Sequence, residues 1–143
     1  MSELLWVGNF PWPPSISNYY MNARRGKFMG RVIGPEGVAF RDTVGVLVRV
    51  GHRSPPRLAG RLSVTVRAEP PSHRKDGRKD GGKKDLDNVW KCLLDSMTKA
   101  GVWVDDSQID ERHIWRAPLP QTPGRVWVEV HPFVGVPRYL KGV

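Results

Sequence analysis

The segment from Lys83 to Asp106, KKDLDNVWKCLLDSMTKAGVWVDD, constrains this chain more than any other. Leu86, Val89, Trp90, Leu93, Leu94 and Met97 recur at the i, i+3, i+4, i+7, i+8, i+11 spacing of a helix with one buried face. At 100° per residue they fall within about 140° of arc, with Asp87, Lys91 and Asp95 forming a polar stripe just beyond its edge. Gly101 supplies the stop, because glycine takes a left-handed C-terminal cap without strain.

The carboxylates at the head of this helix are subject to a geometric condition. Two residues apart on a regular helix, the Asp85 and Asp87 side chains diverge by about 200° and cannot share a ligand. They converge only if the helix begins at or after Asp85. Aspartate is a good N-cap, and Gly81 and Gly82 discourage an earlier start, so Asp85 is expected in cap geometry with Asp87 in the first turn. A second acidic pair, Asp105 and Asp106, follows the β-type run Val102, Trp103 and Val104, which is expected to return to the same edge. Each feature also has a plain structural reading: acids at a helix head cap it and offset the macrodipole, and paired aspartates suit a turn. The combination, with a basic run feeding the first pair, points further, to chemistry.

A chain of 143 residues supports one domain and no second core. The formal charge of +9 indicates a polyanionic partner, nucleic acid before membrane surface. No apolar run approaches the roughly 20 residues that span a bilayer, and the N-terminus lacks the basic-then-apolar form of a signal peptide, so a cytoplasmic protein is expected. One cysteine, Cys92, excludes an internal disulfide and a cysteine-rich zinc site, and reads as a helix-flank thiol without a role. His52, His73, His113 and His131 lack metal-ligand spacing.

In chain order, residues 4–10 read as a strand ended by Pro11, Pro13 and Pro14. The following stretch reads as a loop, in which Trp12, Tyr19 and Tyr20 lie among Arg24, Arg25 and Lys27. Aromatic and basic residues interleaved in this way suit unstacked bases and phosphates, or the rings simply pack the loop onto the core. A helix is expected from Pro35 to about Val50, a linker over 51–60, and a half-buried strand where Leu62, Val64 and Val66 alternate with Ser63, Thr65 and Arg67. Residues 70–84 are PPSHRKDGRKDGGKK: Arg74, Lys75, Arg78, Lys79, Lys83 and Lys84 with no apolar side chain. Such a segment cannot bury surface and is expected to be a mobile basic flap that contacts phosphates, the plain alternative being a solvated loop. Strands are expected over 109–117 and 125–130, and a frayed tail over 135–143. Together these elements predict an α+β fold, one small domain over 1–143 with a mixed sheet packed against two main helices.

The string DLDNVWKCLLDSMTKAGVWVDDSQI, with FPWPPSISNYY near the start, resembles the RusA-type Holliday-junction resolvases of bacteria and their phages, over roughly residues 9–133. The chain departs from that pattern in a longer Gly/Lys/Arg loop before Asp85 and a tail after Phe133. The resemblance implies that Asp85, Asp87 and Asp106 are metal-binding carboxylates and that Lys91 is functionally important; Asp105, next to Asp106, is expected as an alternate or supporting residue. It further implies a homodimer that nicks opposed strands of a four-way junction in DNA recombination and repair, in a bacterial cell, whether phage or host encoded. Oxygen-only ligands select hard ions, so Mg²⁺ is expected, with Mn²⁺ as a substitute. Two other readings remain open on the residues alone: a nuclease for other branched or flapped DNA, and a non-catalytic basic DNA-binding protein in which the aspartates are caps.

Overall fold

A computed structural model describes residues 3–50, 54–72, 85–118 and 123–136. Four strands form the main sheet in the order β1 (Trp6–Pro11), β6 (Arg125–Pro132), β4 (Leu62–Glu69), β5 (Ile109–Arg116). Strand β6 is antiparallel to both neighbours, whereas β4 and β5 run parallel. Two long helices, α2 (Pro35–Arg49) and α3 (Leu86–Ala100), cover one face. This is the mixed sheet with two main helices that the residue pattern predicts.

Period-2 alternation explains the sheet's two faces. Val126, Val128 and Val130 of β6 and Leu62, Val64, Val66 and Ala68 of β4 are fully buried against Phe40, Val44 and Val48 of α2 and Val89, Leu93 and Met97 of α3. Trp127, Glu129, Thr65 and Arg67 fall on the other face and are only half-buried. Pro11 is tolerated at the end of β1 because that strand is at the sheet edge.

The expected loop after β1 is a folded unit instead. A four-residue helix, α1 (Ile16–Tyr19), leads into a hairpin of β2 (Tyr20–Arg25) and β3 (Phe28–Ile33) that turns at Gly26, where φ is +60°. The first turn of α2 sits hard against this unit: a Cβ on Gly37 would lie 2.2 Å from the Tyr19 carbonyl oxygen. Tyr19 belongs to the core, with 0% of its surface exposed.

Parallel β4 and β5 require a crossover, and α3 supplies it. The helix begins one residue after Asp85 and stops at Gly101, φ +84°, as expected. Its buried face is rotated from the expected one, since Cys92 and Ser96 are buried while Leu86, Trp90 and Leu94 are partly so. Cys92 is therefore a core residue and not a flank thiol; burial, then the nearby Asp95 charge, push its thiol up to about 11. Val102 and Trp103 are buried too, but this run makes a single parallel bridge, Trp103 to Leu58, and not a strand. Most of the basic flap, 73–84, and the tail from 137 lie outside the described residues.

Candidate active site

Asp85 occupies the N-cap of α3 in extended geometry, φ −74° and ψ 117°, and its carboxylate accepts a hydrogen bond from the Asp87 backbone N–H at 2.9 Å. Both side chains are exposed, so the head of the helix presents two carboxylates to solvent from adjoining positions. The helix start that such a shared corner requires is therefore present. An ion pair with a divalent cation is favoured at such a point only if substrate phosphate or further oxygens complete the shell, because Mg²⁺ commonly uses one or two carboxylates beside phosphates and water.

One turn along, Lys91 is exposed, with its Nζ 6.0 Å from the centre of the Tyr20 ring. Arg31 of β3 lies over the same ring at 4.9 Å, so the hairpin and the helix bring two cations to one aromatic residue. A further turn along, Asp95 has a different role from its neighbours on the stripe. It accepts hydrogen bonds from the Tyr19 hydroxyl at 2.5 Å and from Arg41 at 2.6 Å, while the Tyr19 oxygen also meets Ser96 Oγ at 2.9 Å and Arg41 Nε at 2.9 Å. Burial and then the Asp95 hydrogen bond push the Tyr19 phenol up to about 12. This network anchors α3 against α1 and α2.

Asp105 is committed to local structure. It caps a 3₁₀ turn, Asp106–Gln108, accepting from the Ser107 hydroxyl and N–H, while Gln108 Oε1 accepts from the Asp105 N–H at 2.9 Å. The Ser107 hydroxyl holds the Asp105 carboxyl below its ordinary range. Asp106 beside it is exposed.

The expectation that Asp106 returns to the Asp85 and Asp87 corner is not met within one chain. Among the described residues no three His, Cys, Asp or Glu side chains gather closely enough to hold a metal ion. The crossover is the physical reason. It puts the head of α3 at the end of the sheet where β4 finishes, and Asp106 at the other end, where β5 begins. Between them lies the length of a 15-residue helix, about 22 Å.

The candidate DNA contacts divide as well. Trp12 is partly buried and packs against the core, which favours the packing alternative for that ring. Arg24 is exposed on β2, its Nε donating to the Gly26 carbonyl at 3.1 Å. The side chain of Arg25, and Arg74, Lys75, Arg78, Lys79, Lys83 and Lys84, lie outside the described residues. Sequence reasoning missed Tyr20 and Arg31 as neighbours of Lys91. The available signal was Gly26–Lys27 as a two-residue hairpin turn.

A family model described as Endodeoxyribonuclease RusA matches residues 11–131. The chain is 34% identical over 110 residues to the crossover junction endodeoxyribonuclease of Enterobacteria phage 82, covering 76% of this chain and 80% of that protein. With the corresponding proteins of Shigella sonnei strain Ss046 and Escherichia coli strain K12 the identity is 36% and 34% over the same shares.

Proposed function

The chain belongs to the RusA endodeoxyribonuclease family, and from that premise we propose that it cuts DNA at four-way crossover junctions, using a divalent cation held by aspartates, as a homodimer. The observation that carries the chemistry is the exposed Asp85 and Asp87 pair at the head of α3, with Lys91 one turn away. The two carboxylates at this corner are oxygen donors, which suits Mg²⁺ or Mn²⁺. When bound, such an ion activates water and neutralises charge on the attacked phosphate and the departing oxygen.

The chain's own residues set up the rest. Asp85 is held by the Asp87 N–H through one carboxylate oxygen, which orients it without neutralising it. Lys91 brings a positive charge to the side of the phosphate, its ammonium lying near the Tyr20 ring that Arg31 also covers. Cation clusters of this kind favour a pentavalent phosphorane-like transition state over the ground state, because its charge is the more concentrated.

Asp106 joins the site through the second copy. With about 22 Å of helix separating it from Asp85 in one chain, a two-fold partner is the economical way to bring an Asp106 to the corner. Each dimer then has two equivalent sites, each built from Asp85, Asp87 and Lys91 of one copy and Asp106 of the other. Such a pair matches a junction whose two opposed strands are related by the same symmetry. Among the described residues no helix is long and apolar enough to cross a membrane, and we place the protein with bacterial or phage DNA in the host cell.

The test is cleavage of matched four-way, three-way and linear duplex DNA with Mg²⁺ and with chelator. Paired nicks confined to the four-way substrate and lost with chelator support the reading. Equal cutting of all three substrates transfers it to a general branched-DNA nuclease, and no metal-dependent cutting removes it.

A further inference from the structure

The helices cover one face of the sheet; the other face carries a row of side chains that the junction chemistry leaves unused. Arg67 of β4 is paired in register with Trp115 of β5 on one side and Trp127 of β6 on the other, so all three project from the same face. Trp115 is 40% exposed, and the Arg67 guanidinium lies 5.8 Å over the Trp127 ring. The next row toward the end of β4 is Glu69 opposite Arg125. Arg67 Nε and Arg125 Nε donate to the two oxygens of Glu69, at 3.1 Å and 2.7 Å.

Burial within this cluster is uneven in a telling way. The Glu69 side chain is 9% exposed, whereas those of Arg67 and Arg125 are 41% and 52% exposed. The carboxylate lies beneath and holds the two guanidinium groups, of which Arg67 sits between the two tryptophan positions and Arg125 in the next row. Lower on the same face, Thr65 and Glu129 are half-buried and His113 is exposed, and beyond them Ser63, Glu111 and His131 are buried, so the open area runs from mid-sheet to the end where β4 finishes. That is the end at which α3 begins with Asp85 and Asp87.

We propose that the Trp115, Arg67 and Trp127 row, with Arg125 at its rim, is a platform on which unpaired nucleotides of the DNA substrate stack. The exposed Trp115 indole, and the Arg67 guanidinium backed by Trp127, offer flat π-surfaces to bases, while Arg125 and Arg67 offer charge to the connecting phosphates. A four-stranded sheet with aromatic residues on its open face is a known geometry for holding unstacked bases. Strand opening near the cut would deliver such nucleotides around the sheet end to this face. The polymer's identity rests on the reading of the chain as a DNA nuclease; the platform itself rests on the sheet.

The test is binding of a short labelled oligothymidylate, by fluorescence anisotropy, in the cleavage-deficient Asp87→Asn background. Trp115→Ala with Trp127→Ala is expected to weaken binding about tenfold or more, and Trp115→Phe with Trp127→Phe to retain most of it, because phenyl rings still stack. Trp115→Ala alone, at an exposed position, is expected to weaken binding severalfold and serves if the double variant fails to fold. Alanine variants that bind as tightly as their parent overturn the platform, as does a change of oligomeric state at unchanged oligothymidylate affinity, which assigns this face to a second copy. The platform and the junction reading fail separately: a wild type that binds oligothymidylate through these tryptophans but leaves junctions intact keeps the first and loses the second.

Discussion

Asp85 accepts a hydrogen bond from the backbone N–H of Asp87, and that single contact lets two acids, two residues apart, face the same solvent at the head of α3. It also makes Asp85 serve two purposes, cap and candidate ligand, which a substitution can separate. Asparagine caps a helix about as well as aspartate. Asp85→Asn is therefore expected to change unfolding free energy by less than about 0.5 kcal/mol, measured by urea denaturation, while abolishing metal-dependent cleavage. A variant that cuts normally would leave Asp85 as a cap only.

Shared sites have a signature in mixing experiments. Asp87→Asn and Asp106→Asn are each expected to be inactive alone. Mixed and allowed to exchange subunits, they form a heterodimer in which one site carries both substitutions and the other neither. Single-strand nicking of the junction should then reappear. A mixture as inactive as its components means that Asp87 and Asp106 serve within one chain.

The Tyr19 hydroxyl links Asp95, Ser96 and Arg41 in the core beside the site. Its pKa is raised to about 12, from an ordinary value near 10, first by burial and then by Asp95. A raised folded-state pKa contributes stability that is complete below pH 10 and is lost as pH rises from there to about 12. Tyr19→Phe is expected to cost roughly 1–3 kcal/mol at neutral pH by stranding its partners, and to flatten that alkaline loss. Urea unfolding of both proteins from pH 7 upward gives the comparison; parallel curves would contradict it.

Gly101 ends α3 in left-handed geometry, φ +84°, and a Cβ there would meet the Pro55 Cβ at 2.9 Å. Gly101→Ala is expected to destabilise by about 1–2 kcal/mol from backbone strain alone, with the contact adding to it. A thermal or denaturant midpoint equal to wild type would count against the cap.

Much of this was legible in the residues, and the failures have causes. The i, i+3, i+4 spacing from Leu86, the Asp85 cap and Gly101 defined α3 almost to the residue, because helix period and termini are local properties. Val126, Val128 and Val130 alternated as a strand for the same reason. The hairpin at Gly26 escaped notice because its strands show no regular apolar alternation; Met21 and Met29 are exposed, and the pair is held by backbone bonds. Where Asp106 sits relative to Asp85 was illegible. That separation is set by the parallel pairing of β4 with β5, a contact between residues some 48 apart such as Ser63 and Glu111, which no local pattern encodes. Cys92 looked like a flank residue because the buried arc of α3 is centred on where α2 and the sheet meet, not on the most apolar side chains.

The most direct test of the account is four-way junction cleavage by wild type and Asp87→Asn side by side in Mg²⁺, with binding measured in chelator. Asp87→Asn is expected to lose cleavage by more than about a hundredfold, the equivalent of roughly 2.7 kcal/mol of transition-state stabilisation. Its junction affinity is expected to be kept or tightened, because a negative charge beside phosphate is gone. An Asp87→Asn protein that resolves junctions at the wild-type rate would contradict the assignment of this corner as the active site.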